Sequence, residues 1–135
     1  MEQHRAMRKQ ISAVLALAAI ALLGGCAILN RSEEPVVVGT WTNLIGTIWA
    51  IKADGTFEVS LGKSHRVDVW GTYTVTGDTM TIQEARGSLT PKSCKAAATY
   101  KFKRDDDTLT FTKVSDKCKL RETNMLLPWK PWKGK

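Results

Sequence analysis

Three cysteines, two histidines and thirteen carboxylates are the groups in this 135-residue chain from which chemistry could be built, and their spacing argues against most of it. His65 follows Ser64 directly, but a nucleophile and its base must face one another while a third group orients the base, and adjacency in sequence supplies neither. Asp105, Asp106 and Asp107 could attract a cation, yet the alternating pattern of a calcium loop is missing, and carboxylates at a hairpin tip read more simply as a solvated turn. Glu58, Asp68 and Glu84 alternate onto outward positions of strand-like segments and read as surface charges. No Cys-x-x-Cys spacing occurs among Cys26, Cys94 and Cys118. The expectation is a protein that is not an enzyme and holds no metal or cofactor.

What surrounds Cys26 gives it a role. Residues 1–10 carry Arg5, Arg8 and Lys9, and Ile11 to Leu23 is thirteen residues without charge, too short for a bilayer span of about 20. This order of basic, apolar and small-residue regions is that of a secretory signal, with Met1 or Met7 as its start. Leu23-Gly24-Gly25-Cys26 resembles the lipobox of bacterial lipoprotein precursors, in which the cysteine is lipidated and becomes the mature N-terminus. The resemblance implies that residues 1–25 are a signal peptide, that Cys26 carries acyl chains such as palmitate, and that membrane lipid is a partner in a bacterial cell envelope. Ala27, where an aspartate would retain the protein at the inner membrane, implies the outer membrane, facing the periplasm. The plainer alternative is a simple anchor, or a buried helix ending in an ordinary cysteine. Residues 26–35 then form the lipidated N-terminus and a polar tether reaching at most about 30 Å.

Residues 36–135 suffice for one small domain, and they read as strands throughout. Apolar residues recur at every second position in Phe57-Val59-Leu61, Val67-Val69, Tyr73-Val75, Met80-Ile82, Tyr100-Phe102 and Leu109-Phe111, with threonines between them suited to a wet face. Asp54-Gly55, Gly62-Lys63-Ser64, Gly77-Asp78 and Asp105-Asp106-Asp107 punctuate these runs as hairpin turns. No segment has a helical period long enough to cover a sheet, so the buried faces must meet one another. The fold class is therefore all-β, an antiparallel up-and-down barrel of about seven to eight strands, with a small sandwich as the competing form.

With Cys26 lipidated, Cys94 and Cys118 remain just outside the two ends of the hairpin from Ala97 to Val114. Antiparallel pairing brings those ends together, and in an oxidising envelope a disulfide is the direct reading, with a metal or redox pair as its competitor. Gly39-Thr40-Trp41 resembles the Gly-x-Trp motif that opens lipocalins and related calycin barrels. The resemblance implies that Trp41 closes the barrel floor and that an arginine beyond the last strands, here Arg121, packs across its ring. The chain is shorter than a lipocalin and lacks the Thr-Asp-Tyr-type motif between later strands. Its inward set, including Trp41, Trp49, Phe57, Tyr73, Tyr100, Phe102 and Phe111, is bulky enough to fill most of a small barrel.

The whole chain has a net charge of +7, and the part after residue 25 has +5, which favours an anionic lipid or glycan surface in the envelope and no nucleic acid. The tail from Leu126 to Lys135 alternates indole, proline and lysine, a composition suited to a membrane interface. Trp70, Trp129, Lys130, Trp132, Lys133 and Lys135 are thus the candidate interaction surface, although Leu127 and Trp129 equally suit a last strand closing the barrel. Two functions follow: an envelope interaction or structural module with a filled barrel, or a lipocalin-like binder holding a small apolar ligand near the membrane.

Overall fold

The computed structural model describes residues 34–88 and 90–134. The expected signal peptide 1–25, Cys26 with its expected lipidation, most of the expected tether and Lys135 lie outside the described residues. Eight strands follow one another: β1 (Gly39–Thr42), β2 (Ile48–Ile51), β3 (Thr56–Ser60), β4 (Val69–Thr76), β5 (Thr79–Arg86), β6 (Ala98–Asp105), β7 (Thr108–Ser115) and β8 (Lys130–Pro131). All pair antiparallel in the order β7-β6-β5-β4-β3-β2-β1-β8. Paired hydrogen bonds of 2.9 Å between Leu109 and Trp129 join the two edges, so the sheet is a nearly closed barrel, consistent with a lipocalin-like fold.

The alternation of the strands is visible in what they bury: Trp41, Trp49, Ile51, Phe57, Tyr73, Met80, Tyr100, Leu109 and Phe111 all point to the core. Two bulges alter the phase. Thr72 opposes Glu84 while Tyr73 opposes Ile82, so Gln83 is unpaired and Ala85, rather than Glu84, turns inward. Likewise Thr99 opposes Ser115 and Tyr100 opposes Lys113, which leaves Val114 outward and 56% exposed. Gly71 is required where β4 and β5 cross most closely, since a Cβ there would stand 1.8 Å from the Glu84 carbonyl oxygen.

At the turns 52–55, 77–78 and 106–107 an aspartate accepts a hydrogen bond from a nearby threonine. Asp54 accepts from the Thr56 N–H and hydroxyl at 2.9 and 2.6 Å, while Gly55 takes a φ of +85°. Asp78 and Asp107 each accept from the following threonine hydroxyl at 3.1 Å, so the two hairpins that resemble each other in sequence also share a turn contact.

The sequence does not announce the helix α1 (Lys119–Met125), which is one short amphipathic segment laid across the barrel's end. Its first turn is capped by Cys118, whose Sγ accepts from the Arg121 N–H at 3.2 Å. By strand direction, connections 43–47, 61–68, 87–97 and 116–128 share one end of the barrel, and turns 52–55, 77–78 and 106–107 share the other.

Candidate functional site

At the end where β1 begins, Trp41 is 2% exposed and its Nε1 donates to the Val37 carbonyl at 2.8 Å. Gly39 lies against this ring: a Cβ at its φ of +146° would come within 3.4 Å of the indole nitrogen. The cation over the ring is Arg104, 5.2 Å from its centroid. Arg121 was the expected partner, and it is instead occupied at the opposite end of the barrel. The correction has a topological cause, because β7 carries the chain away from Trp41 before Arg121 is reached, whereas β6 delivers Arg104 to it.

Arg121 braces the other end. Its Nε and Nη2 donate to the two Asp116 oxygens, each at 2.7 Å, and its remaining donors reach the Cys94 and Ala96 carbonyls at 3.0 Å. Asp116 has a fully buried side chain and also accepts from the Tyr100 hydroxyl at 2.6 Å and the Cys118 N–H at 2.8 Å. Burial alone would raise this carboxyl, but the hydrogen bonds from Arg121, Tyr100 and the Cys118 N–H outweigh it and hold it below the usual carboxylate range. The Tyr100 hydroxyl is driven the other way, well above an ordinary tyrosine, by burial and by its bond to the ionised Asp116. Cys94 and Cys118 are joined in a disulfide with Cα atoms 4.6 Å apart, tying the β5–β6 connection to the start of α1.

Beneath this cap lies a cavity of about 180 Å³. Its walls are apolar, with Trp49, Phe57, Val59, Val69, Ile82 and Met125 among them, while Thr47, Thr90, Arg121 and Asn124 contribute polar groups. The bulky inward residues therefore do not fill the barrel completely: the Gln83 bulge places the small Ala85 on the wall. Asn124 binds the cap to the β1–β2 turn, its Oδ1 accepting from the Thr47 hydroxyl at 2.7 Å and from Asn43 at 3.3 Å. Trp49 Nε1 and Thr90 Oγ1 are buried without a hydrogen-bond partner among the described residues. The Trp49 ring is enclosed by Trp129, Phe111 and Phe57, with centroids 5.3, 5.5 and 6.3 Å away.

The proposed surface of the tail divides. Trp129 is only 2% exposed, lines the cavity and pairs with Leu109, so of the two roles open to it in the sequence it takes that of the residue closing the barrel and leaves the interaction surface. Lys130 pairs with Asp107 at 2.7 Å. Trp132 is 37% exposed, its ring 5.8 Å from that of His65, and its N–H donates to the Thr40 carbonyl at 2.9 Å. Lys133 is exposed, and Trp70, 46% exposed, stands on the outer face of β4 between Glu58 and Arg86. The tail and Trp70 thus form no single patch with a common geometry. Ser64 is engaged locally, accepting from the Arg66 N–H, and His65 holds a positive φ of 54°.

The fold and site together define a small antiparallel barrel with a capped apolar cavity. No family model, curated protein or solved structure matches the chain.

Proposed function

We propose that this protein is a non-catalytic, lipid-anchored component of a bacterial envelope whose barrel holds a small apolar ligand. The anchor rests on the Leu23-Gly24-Gly25-Cys26 resemblance, with acylated Cys26 in the outer membrane facing the periplasm. The ligand reading is carried by one observation, the apolar cavity of about 180 Å³ beneath α1. Apolar protein cavities of roughly 150 Å³ take up benzene, so this partly open, largely apolar space suits a compact ring or the end of a short alkyl chain. Exclusion of water from such walls supplies the driving force, at about 25 cal/mol for each Å² of apolar surface covered.

The test is titration of the oxidised full chain with toluene and with 1-hexanol, followed through the methyl resonances of Ile82 and Met125. Saturable shifts in these methyls are expected. Ala85→Leu, which projects a larger side chain from the cavity wall, should abolish them while the strand pattern is retained. Unshifted methyls in the native chain, or undiminished binding by the variant, would remove the cavity as the site.

A further inference from the structure

The end of the barrel that carries the cap is unlike the other in both apolar exposure and charge. Ten large apolar residues are exposed among the described residues, and six of them, Leu44, Ile45, Leu61, Val67, Leu120 and Leu126, lie in connections at this end. At the opposite end none of the ten lies in turns 52–55, 77–78 and 106–107, and Val36, just before β1, is exposed there. The exposure is built into the local structure. Asn43 Oδ1 accepts from the Ile45 and Thr47 N–H groups at 3.2 and 3.1 Å, and Asn43 itself is tied to α1 through Asn124. This fixed turn presents Leu44 at 87% and Ile45 at 61% exposure, where turn chemistry would ordinarily place polar residues. Leu120, 63% exposed, projects from α1 beside the same end.

Charge separates along the same axis. The connections 43–47, 61–68, 87–97 and 116–128 contain seven basic residues and three acidic ones, and two of those acids, Asp116 and Glu122, are held by Arg121, Lys113 and Lys119. The turns 52–55, 77–78 and 106–107 contain four acidic residues and one basic. An apolar tip ringed by lysine and arginine, opposed by an acidic far end, has the polarity of a surface that meets negative charge with one face only.

We infer that the capped end of the barrel docks on an anionic lipid surface, with Leu44, Ile45 and Leu120 entering the headgroup region and Lys63, Arg66, Lys92, Lys95 and Lys117 facing the phosphates. An acidic protein would need an apolar groove matched to these three projecting side chains, whereas an anionic bilayer offers negative charge and an apolar medium together at any point of its surface. The cavity is lined in part by Leu61, Leu120, Thr90 and Pro91 of this same end, so docking places the ligand site against the membrane. The inference stands on the end's composition and exposure, independently of what the cavity holds. It also shifts the expected membrane contact from the Trp-Lys tail to the connections of the capped end, one of which, 61–68, meets the tail where His65 packs on Trp132.

Hydrogen exchange of the full chain in nanodiscs of phosphatidylcholine, with and without phosphatidylglycerol, tests it. The phosphatidylglycerol discs should slow exchange several-fold in 43–47 and 117–126, leave turns 77–78 and 106–107 unchanged, and lose the effect in 1 M salt, where the screening length falls to about 3 Å. Leu44→Ser with Ile45→Ser changes two exposed side chains, so the fold is retained and only the protection should disappear. Lys92→Gln and Lys95→Gln should each weaken the lipid-dependent protection by roughly fivefold. Equal exchange on both lipids would overturn the inference, as would protection centred on 129–134. Protection of the capped end by an acidic polypeptide such as polyglutamate, with none by phosphatidylglycerol, would also overturn it.

Discussion

Asp116 and its three donors show how one buried carboxylate can hold a cap together. Its carboxyl is stabilised in the ionised form by Arg121, Tyr100 and the Cys118 N–H, against the effect of its own burial. Because its folded pKa is depressed, the stability it contributes is present above the unfolded value of about 3.9 and is lost as pH falls through the folded one. Unfolding free energy measured by urea between pH 7 and pH 2 should therefore drop through the acid range. Asp116→Asn should be less stable at pH 7 and show a shallower acid limb; an acid limb of unchanged depth would place the dependence elsewhere. The loss at pH 7 should reach about 3 kcal/mol, because the variant leaves the mostly buried Arg121 guanidinium without its counter-charge. This site was only partly legible in advance. The type and position of Arg121 attract attention in the sequence, but its partner does not, since Asp116 is merely a polar residue after a strand until α1 folds back over it.

At the scale of elements, β8 is the smallest piece, and it closes the barrel. Its two residues pair with Thr42 and Trp41 on β1, while Trp129 just before it bridges to Leu109 on β7. A chain stopped at Pro128 should lose Trp129 from the core, at a cost of about 3–5 kcal/mol, and open the barrel seam. Its near-ultraviolet circular dichroism should collapse. Removing only Lys133–Lys135 should change stability by no more than about 0.5 kcal/mol, since exposed residues outside paired structure carry little. If the Pro128 stop kept a native spectrum, the seam would not depend on β8. The sequence already offers Trp129 as a residue closing the barrel, but not the pairing of β8, because Pro131 can donate no ladder hydrogen bond and a strand of two residues has no period to detect.

For the whole molecule, the Cys94–Cys118 disulfide acts as much on the unfolded chain as on the folded one. It closes a loop with a sequence separation of 24, and in the chain-entropy model the lost freedom is equivalent to about 3.5 kcal/mol. Cys94→Ala with Cys118→Ala should lower the urea unfolding free energy by about that amount while leaving the β-sheet spectrum of the native state in place. A smaller loss would mean that the unfolded state keeps these two segments close without the bond. A domain of this size has a modest core, so the loss is a large fraction of its total stability.

The amino-acid sequence alone determines the all-β class, the antiparallel hairpins and their turns, because alternation and turn chemistry are local properties read within a few residues. It also brings out the Cys94–Cys118 pair, since a single hairpin spans the distance between them. Tertiary structure decided what depends on closure: that Arg104 rather than Arg121 covers Trp41, that Trp129 enters the core, and that Ala85 replaces Glu84 on the inner wall. A bulge of one residue and a seam of one residue pair leave almost no periodic signal, yet they set the phase of a strand and the diameter of the barrel. The cavity follows from both, because its volume is a small remainder between large side chains whose final facing only the closed sheet defines.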